Sequence, residues 1–205
     1  MPLAQRRMIC ALAVAVLAAN LWQPYPEIAP LQHIPTVALL LASPWLLRRW
    51  PLSDASVGAV VAFFLLHTLA GRYAYSNVPY DAWGRVLTGG SIDATLGWTR
   101  NNFDRLVHLS FGVCAVPPVA EGLRRYGGVS LRLSLWFAFL FVCGFSALYE
   151  NFEWLLTIVL APGMADDYNG QQRDMWDAQK DMAIAIAGAC GSIAWAARRI
   201  ITAGG

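Results

Sequence analysis

Six apolar stretches, each close to the length of a membrane-spanning helix, constrain the fold of this chain more than any other feature of its sequence. A helix that crosses the hydrocarbon core of a bilayer needs about 20 predominantly apolar residues. The six stretches occupy residues 8–22, 31–47, 54–71, 102–121, 131–160 and 175–197. They predict an all-α polytopic membrane helix bundle of about six transmembrane helices, forming a single transmembrane domain over residues 1–205.

The composition agrees with a membrane location. Hydrophobic residues make up 57% of the chain and charged residues 14%, whereas soluble domains average about 25% charged residues. The formal net charge is only +2, and no basic stripe with interleaved aromatic residues is present in the sequence. We therefore expect an integral membrane protein whose partner is the lipid bilayer, and we expect no nucleic-acid partner.

Clustered arginines predict the orientation of the bundle. They precede the first stretch, follow the second, separate the fourth from the fifth and follow the sixth. Because cytoplasmic loops carry an excess of Lys and Arg, both termini are expected in the cytoplasm. The longest loop, 72–101, then lies on the outer side. Its aromatic, amphipathic sequence favours packing at the lipid head groups, and a lid over a site is the alternative.

Ionisable residues from four of the predicted helices fall close to the outer boundary. At about 1.5 Å of rise per residue, all of them lie within roughly 15 Å of that boundary. In the fourth, fifth and sixth of these helices they are three or four residues apart, which places them on one face, and the third helix carries His67 alone. A charged side chain that faces lipid costs several kcal/mol, so these faces are expected to line one polar chamber inside the bundle.

The predicted catalytic or binding residues of this chamber are Asp104, His108, Glu150, Glu153, Asp177 and Asp181. Supporting or ion-pairing residues are His67, Arg105, Arg173, Asp174 and Lys180. Fully ionised, the six acids exceed the three cations by three charges. Uncompensated buried charge is costly. Protonation of some carboxylates, a bound cation or penetrating water could each resolve the imbalance. Taken singly, several of these residues also have a structural interpretation, such as an acid at a helix start.

Three segments resemble a known protein family. They are NNFDRLVHLSFG at 101–112, YENFEW at 149–154 and GQQRDMWDAQKDMAIAIAGA at 170–189. Together they resemble the YjdF-like family of bacterial inner-membrane proteins, which has no assigned biochemical function. The resemblance covers roughly residues 60–195. It implies a multi-pass protein of the bacterial inner (cytoplasmic) membrane, and it supplies no substrate.

The same segments are similar to the VanZ-like membrane proteins. That pattern has an Asp-basic-x-x-His helix start, a glutamate-bearing helix, and an Arg…Asp stretch that leads into a small-residue last helix. The matching positions are Asp104, Arg105 and His108, then Glu150 and Glu153, then Arg173, Asp177, Asp181 and Gly188. Two additional N-terminal helices and the 72–101 loop depart from the shorter VanZ pattern.

Three functional hypotheses remain open at this point. The first is a metal-dependent intramembrane enzyme, or a binder, that recognises a lipid or lipid-linked head group at the outer leaflet. Carboxylates with imidazole suit Zn, Mn, Fe or Mg, and the candidate ligands of such a divalent metal are His108, Glu150, Glu153, Asp177 and Asp181. The second is a structural or accessory membrane protein whose polar core specifies helix packing. The third is a small proton-coupled carrier, because intramembrane carboxylates also relay protons.

Overall fold

A computed structural model describes residues 1–159 and 172–203 of the chain, with side chains up to residue 198. The helices are α1 (Leu3–Asn20), α2 (Ala29–Gln32), α3 (Ile34–Arg49), α4 (Asp54–Arg72), α5 (Tyr80–Thr88), α6 (Ile92–Leu96), α7 (Phe103–Gly127), α8 (Leu131–Val159) and α9 (Asp177–Ala203). Within these described ranges there is no β-strand. The six long helices correspond to the six apolar stretches, so the predicted all-α membrane helix bundle is confirmed.

The long helices differ in how readily each could cross a bilayer alone. Four of them, α1, α4, α7 and α8, are long and apolar enough to do so. With 16 residues, α3 extends about 24 Å, somewhat less than the hydrocarbon thickness of about 30 Å. The 27-residue α9 is long enough but begins with charged side chains. A count of about six spans therefore depends on α3 and α9 packing against the other four.

Several helix ends differ from those expected from hydropathy. Helix α1 already begins at Leu3, before the apolar stretch at 8–22, and α7 continues to Gly127, beyond residue 121. Polar turns can extend a spanning helix outside the lipid, where hydropathy no longer marks its end. The 72–101 loop contains two short helices, α5 and α6. The expected end of the fifth span at residue 160 lies outside the described residues.

Helix α7 is at the centre of the packing. It contacts α4, α8 and α9, while α1 packs against α3 and α4. One buried cluster joins small or branched residues of α7, α8 and α9, namely Val116, Ala120, Ala138, Val142, Ala185 and Ala189. Small side chains let membrane helices approach closely and gain dispersion contacts. The C-terminal three long helices therefore form the tightest part of the bundle and carry most of the ionisable residues.

Helices α7 and α9 are in backbone contact at Gly112 and Gly188. A Cβ atom added to Gly112 would lie 1.9 Å from the Ala185 carbonyl oxygen, and one added to Gly188 would lie 2.4 Å from the Leu109 carbonyl oxygen. Both distances are far inside van der Waals contact, so only glycine fits at these two positions. Gly112 lies one helical turn after His108, and this contact therefore sets the spacing of the polar faces above it.

Polar side chains satisfy helix ends that would otherwise leave backbone groups unpaired. Arg72, at the end of α4, donates to the Ala19 carbonyl at the end of α1 over 2.6 Å. At the opposite end of α4, the Glu121 carboxylate accepts from the Ser53 backbone amide (2.7 Å) and from the Ser56 hydroxyl (2.5 Å). These contacts fix α4 against α1 at one end and against α7 at the other.

The 72–101 loop has the features of a segment at a membrane interface. In α5, the side chains of Val86 and Leu87 are 85% and 83% exposed, and an apolar helix face of this kind suits the boundary between head groups and acyl chains. The polar side of the loop is internally bonded. Asp81 accepts from the Asp93 amide (3.0 Å) and the Ser91 hydroxyl (2.8 Å), and these hydrogen bonds lower the pKa of Asp81 to about 2.

Replacing Gly188 by alanine is expected to destabilise the bundle. The added methyl group meets the α7 backbone, and overpacking of this kind costs about 1–3 kcal/mol. The measurement is thermal unfolding of the detergent-purified protein. Gly191→Ala is the matched control on the same helix, because a Cβ atom there meets nothing within 4 Å. Equal unfolding temperatures for the two variants would contradict the close contact of α7 and α9.

Candidate functional site

The site lies at the end of the bundle where α7 and α9 begin, the predicted outer end. Asp104 is in the first turn of α7, and Asp177 is the first residue of α9. An acid at such a position suits the positive end of a helix. Asp181 follows one turn further along α9, and Glu150 projects from α8. All four carboxylates are buried. The structure therefore brings together acids from three helices, as the spacing predicts.

Two arginines neutralise part of this acidic cluster. Arg100 donates through Nη2 to Asp104 and through Nη1 to Asp177, so one guanidinium joins α7 to α9. Arg105 donates from Nη2 to Asp174 over 2.6 Å, and the same nitrogen lies 3.5 Å from Asp177. The planar guanidinium suits such multiple pairing, because its donors form a rigid fork.

Sequence reasoning did not select Arg100, which has a central place in this network. Its side chain is only 11% exposed. The available signal was its position four residues before Asp104, a spacing that predicts an ion pair in helices. The cation expected instead, Arg173, is exposed, and among the described residues no ion pair involves it. Arg100 therefore supplies the third cation in place of Arg173. The six acids still exceed the three cations by three charges.

The backbone next to Arg100 is held by side-chain hydrogen bonds. Asn101 and Gln172 form a reciprocal pair: the Asn101 amide donates to the Gln172 side chain, which donates back to the Asn101 carbonyl, each over 2.9 Å. The Tyr80 hydroxyl accepts from the Asn102 amide over 3.1 Å and donates to Asp93. The end of the outer loop is therefore tied both to α5 and to the segment before α9.

Asp174 and Lys180 form the rim of the cluster. Lys180 Nζ donates to Asp174 Oδ2 over 2.6 Å, and the lysine side chain is 47% exposed. This hydrogen bond is the main cause that lowers the pKa of Asp174 to about 2. Asp174 therefore stays ionised, and with Arg105 and Lys180 it forms a neutral or cationic edge around the buried acids.

His108, Glu150 and Asp181 form a group of a different kind. His108 Nε2 lies 3.8 Å from Glu150 Oε1 and 3.8 Å from Asp181 Oδ2, and the three side chains are 13%, 7% and 6% exposed. These distances are too long for hydrogen bonds, which span about 2.7–3.2 Å. The burial and the spacing together leave a small gap bordered by two oxygens and one nitrogen.

Two carboxylate oxygens at this gap lack partners. Among the described residues, Glu150 Oε1 and Asp181 Oδ1 are buried and accept no hydrogen bond. Leaving a buried acceptor unsatisfied costs about 1–3 kcal/mol, and more when it is charged. The nearest cationic group to Asp181 Oδ1 is Arg105 Nε, at 4.0 Å. Glu153 also pairs with no arginine or lysine among the described residues, so Glu150, Glu153 and Asp181 together account for the uncompensated negative charge.

In the other close group of acids, two of the three carboxylates already have an arginine partner. Oxygens of Asp104, Asp177 and Asp181 lie within 4.8 Å of one another, as do the candidate ligand atoms of His108, Glu150 and Asp181. The first two of these aspartates, however, receive the guanidinium of Arg100. Asp181 belongs to both groups and connects the ion-pair network to the gap beside His108.

Glu153 is close to this gap but belongs to neither group. It lies three residues after Glu150 on α8 and is only partly buried. The Tyr149 ring, next to Glu150, contacts the His108 ring edge-on with centroids 6.0 Å apart. Aromatic packing thereby restrains the imidazole that faces the two carboxylates.

His67, expected to support the site, joins α4 to its neighbours. Its Nε2 donates to the Gln32 carbonyl over 2.9 Å, and its Nδ1 accepts from the Tyr75 hydroxyl. A second histidine, His33, makes the reciprocal contact, with Nε2 3.1 Å from the Thr68 carbonyl. Both rings are placed by backbone acceptors and carry no ion pair among the described residues.

Replacement of Arg100 by glutamine is expected to destabilise the protein by about 3 kcal/mol, because it leaves two buried carboxylates without their cation. Chemical or thermal unfolding in detergent measures the effect. Arg173→Gln makes the same change at an exposed arginine and should leave stability unchanged. Similar losses in both variants would argue against the bridging role of Arg100.

Comparisons with known proteins agree with the architecture described above. The family model "Predicted membrane protein (DUF2238)" matches residues 5–201. The chain is 33% identical over 175 residues to the inner membrane protein YjdF of Escherichia coli (strain K12), covering 84% of this chain and 76% of that protein. No solved structure matches. The resemblance to the YjdF-like family is thereby confirmed, as is a multi-pass location in the bacterial inner membrane, whereas the similarity to VanZ-like proteins stays a prediction. The chain belongs to the DUF2238 family of membrane proteins.

Proposed function

We propose that this protein binds a divalent metal ion between His108, Glu150 and Asp181, and that the metal acts on the head group of a lipid or lipid-linked molecule at the outer leaflet. The observation that carries the proposal is the pair of 3.8 Å separations from His108 Nε2 to the two carboxylates. A tetrahedral metal with bonds of about 2.0–2.1 Å holds its ligand atoms roughly 3.3 Å apart. Small movements of the three side chains would shorten the 3.8 Å separations to this value.

The charges of the site support a cation. The carboxylates exceed the arginines and lysine by three charges when all are ionised, and the two without partners are both in the group of three. A divalent ion removes most of this excess and supplies a partner for Glu150 and Asp181. Protein and cation together are then close to neutral, as a buried site in a membrane requires.

The ligand set indicates which ions and which chemistry are suitable. One imidazole with two carboxylates suits Zn, Mn or Fe better than calcium, which takes oxygen ligands alone. Three protein ligands leave a coordination position for water or for a phosphate oxygen. A bound metal there would lower the pKa of its water or polarise a phosphoryl group. Hydrolysis or binding of an anionic head group is the corresponding reaction class.

The two arginines hold the carboxylates that lie next to the proposed ligand Asp181. Carboxylates near a metal are commonly oriented by hydrogen bonds from further residues. Here Arg100 fixes Asp104 and Asp177 on either side of Asp181, and Arg105 lies 4.0 Å from Asp181. This arrangement restricts the direction in which the Asp181 carboxylate can point.

Elemental analysis of the detergent-purified protein tests the proposal. We expect about one zinc, manganese or iron per chain, and we expect Glu150→Gln and His108→Ala to lose it, since each removes one of three ligands. Glu27→Gln makes the same acid-to-amide change at an exposed residue and should retain the metal. A wild-type protein that holds no metal after incubation with each ion, or variants that hold as much as the wild type, would reject the site.

Metal occupancy should also fall as the pH is lowered. Protons compete with the ion for the imidazole of His108 and for both carboxylates, so binding releases protons. Equilibrium dialysis at several pH values measures this dependence. A protein whose occupancy is unchanged from neutral to mildly acid pH would hold its metal elsewhere.

A structural role for the same polar residues is the second candidate function. The observation that favours it is the ion-pair network of Arg100 and Arg105, which links α7 to α9 without any ligand. On this interpretation, the wild-type protein contains no metal, and Glu150→Gln changes stability alone. The elemental analysis above therefore separates the two candidates.

A further inference from the structure

An apolar cavity begins at the candidate metal site and extends into the bundle. It has a volume of about 350 Å³ and lies between α4, α7 and α8. Aromatic and small apolar side chains form most of its wall, among them Phe63, Phe111, Ala115, Val119 and Phe145. His108 lines one end of the cavity and also faces Glu150 and Asp181. The imidazole is therefore the boundary between the polar gap and the apolar cavity.

The cavity opens sideways from the bundle. Two of its lining residues on α8, Phe141 and Phe145, are 42% and 49% exposed. Both lie in the middle of a helix that is apolar enough to span a membrane. The opening therefore faces the hydrocarbon of the bilayer, and hydrocarbon chains are the solvent on that side.

A buried hydroxyl without a partner lies in the cavity wall. Ser146 is 2% exposed, and its Oγ makes no hydrogen bond to any described residue. It sits one helical turn before Glu150, close to the His108 end. A buried donor of this kind is costly unless a ligand accepts its hydrogen bond. Ser146 thus offers a hydrogen-bonding group between the metal site and the apolar part, in a wall that also contains His67 and Tyr75.

The length of the cavity is close to the hydrocarbon thickness of one leaflet. From His108 to Val119, both of which line it, α7 rises about 16 Å. Half of a bilayer's hydrocarbon core is about 15 Å thick. A straight acyl chain of one leaflet fits that length, whereas a long polyprenyl chain exceeds it.

We propose that this cavity holds one acyl chain of a glycerophospholipid from the outer leaflet. Its ester carbonyl accepts a hydrogen bond from Ser146, and its phosphate reaches the metal beside His108, Glu150 and Asp181. The inference rests on the proposed function, and it identifies the substrate class of that site as a phospholipid. The metal site, Ser146 and the apolar wall are thus arranged in the same order as the phosphate, the ester and the acyl chain of a phospholipid.

Photo-crosslinking in vesicles tests the assignment. The protein is reconstituted in phosphatidylethanolamine and phosphatidylglycerol with a trace of phosphatidylglycerol that carries a diazirine in its acyl chain, and labelled peptides are mapped by mass spectrometry. We expect labels on the cavity faces of α4 and α7, at Phe63, Phe111 and Ala115. Labels spread evenly over the lipid-facing residues, such as Leu140 and Leu148, would overturn the proposal.

Two substitutions in the cavity and one control substitution outside it make the test specific. Ala115→Phe fills the cavity with a ring and should lower labelling there about tenfold, whereas Val113→Phe places the same ring at a 43% exposed position outside the cavity and should not. Ser146→Ala should lower labelling about threefold to tenfold through loss of one hydrogen bond. Equal labelling in wild type and Ala115→Phe would overturn the proposal, as would displacement of the label by polyprenyl phosphate but not by unlabelled phosphatidylglycerol.

Metal content, measured on the same samples, keeps the two proposals apart. Ala115→Phe leaves all three metal ligands in place, so it should keep its metal while losing the cavity label. A wild-type protein with metal but without cavity labelling overturns the lipid assignment alone. A wild-type protein with cavity labelling but without metal overturns the metal site, and with it the assignment of the phosphate to that site.

Discussion

The backbone contact of α7 with α9 at Gly112 and Gly188 determines how the polar half of the bundle is arranged. A methyl group at either position would meet a carbonyl oxygen of the facing helix. Both helices begin about three turns beyond this contact, and their first two turns carry Asp104, His108 and Asp181. The close approach at the two glycines therefore limits how far apart these acids can lie.

A bilayer interior offers no water to screen these charges, so they must be balanced within the protein. The structure divides them into two parts. Arg100 and Arg105 pair with the aspartates at the helix starts, and Lys180 pairs with Asp174 at the rim. Glu150 and Asp181, facing His108, each keep a buried oxygen without a partner. The proposed metal ion would give both of these carboxylates a partner, whereas a purely structural network leaves their two oxygens without one.

The N-terminal helices have a supporting role in this arrangement. The α2 turn is bonded to α4 by the reciprocal contacts of His33 and His67, and Glu121 of α7 holds the other end of α4. Fixed in this way, α4 supplies one wall of the cavity that leads to His108, and α8 supplies the opposite wall. The apolar and polar parts of the proposed site therefore share α7 as their common helix.

The sequence by itself determined the helical class, the six long helices and the helix faces that carry the ionisable residues. These follow from hydropathy and from the 3.6-residue period, which are local properties of a chain. Sequence did not determine that Arg100 rather than Arg173 bridges the acids, that His67 bonds to a backbone carbonyl, or that the oxygens without a partner belong to Glu150 and Asp181. Each of these depends on how helices distant in sequence are rotated and spaced against one another. That rotation and spacing is decided only in the tertiary structure, where the glycine contact of α7 and α9 brings the helix faces together.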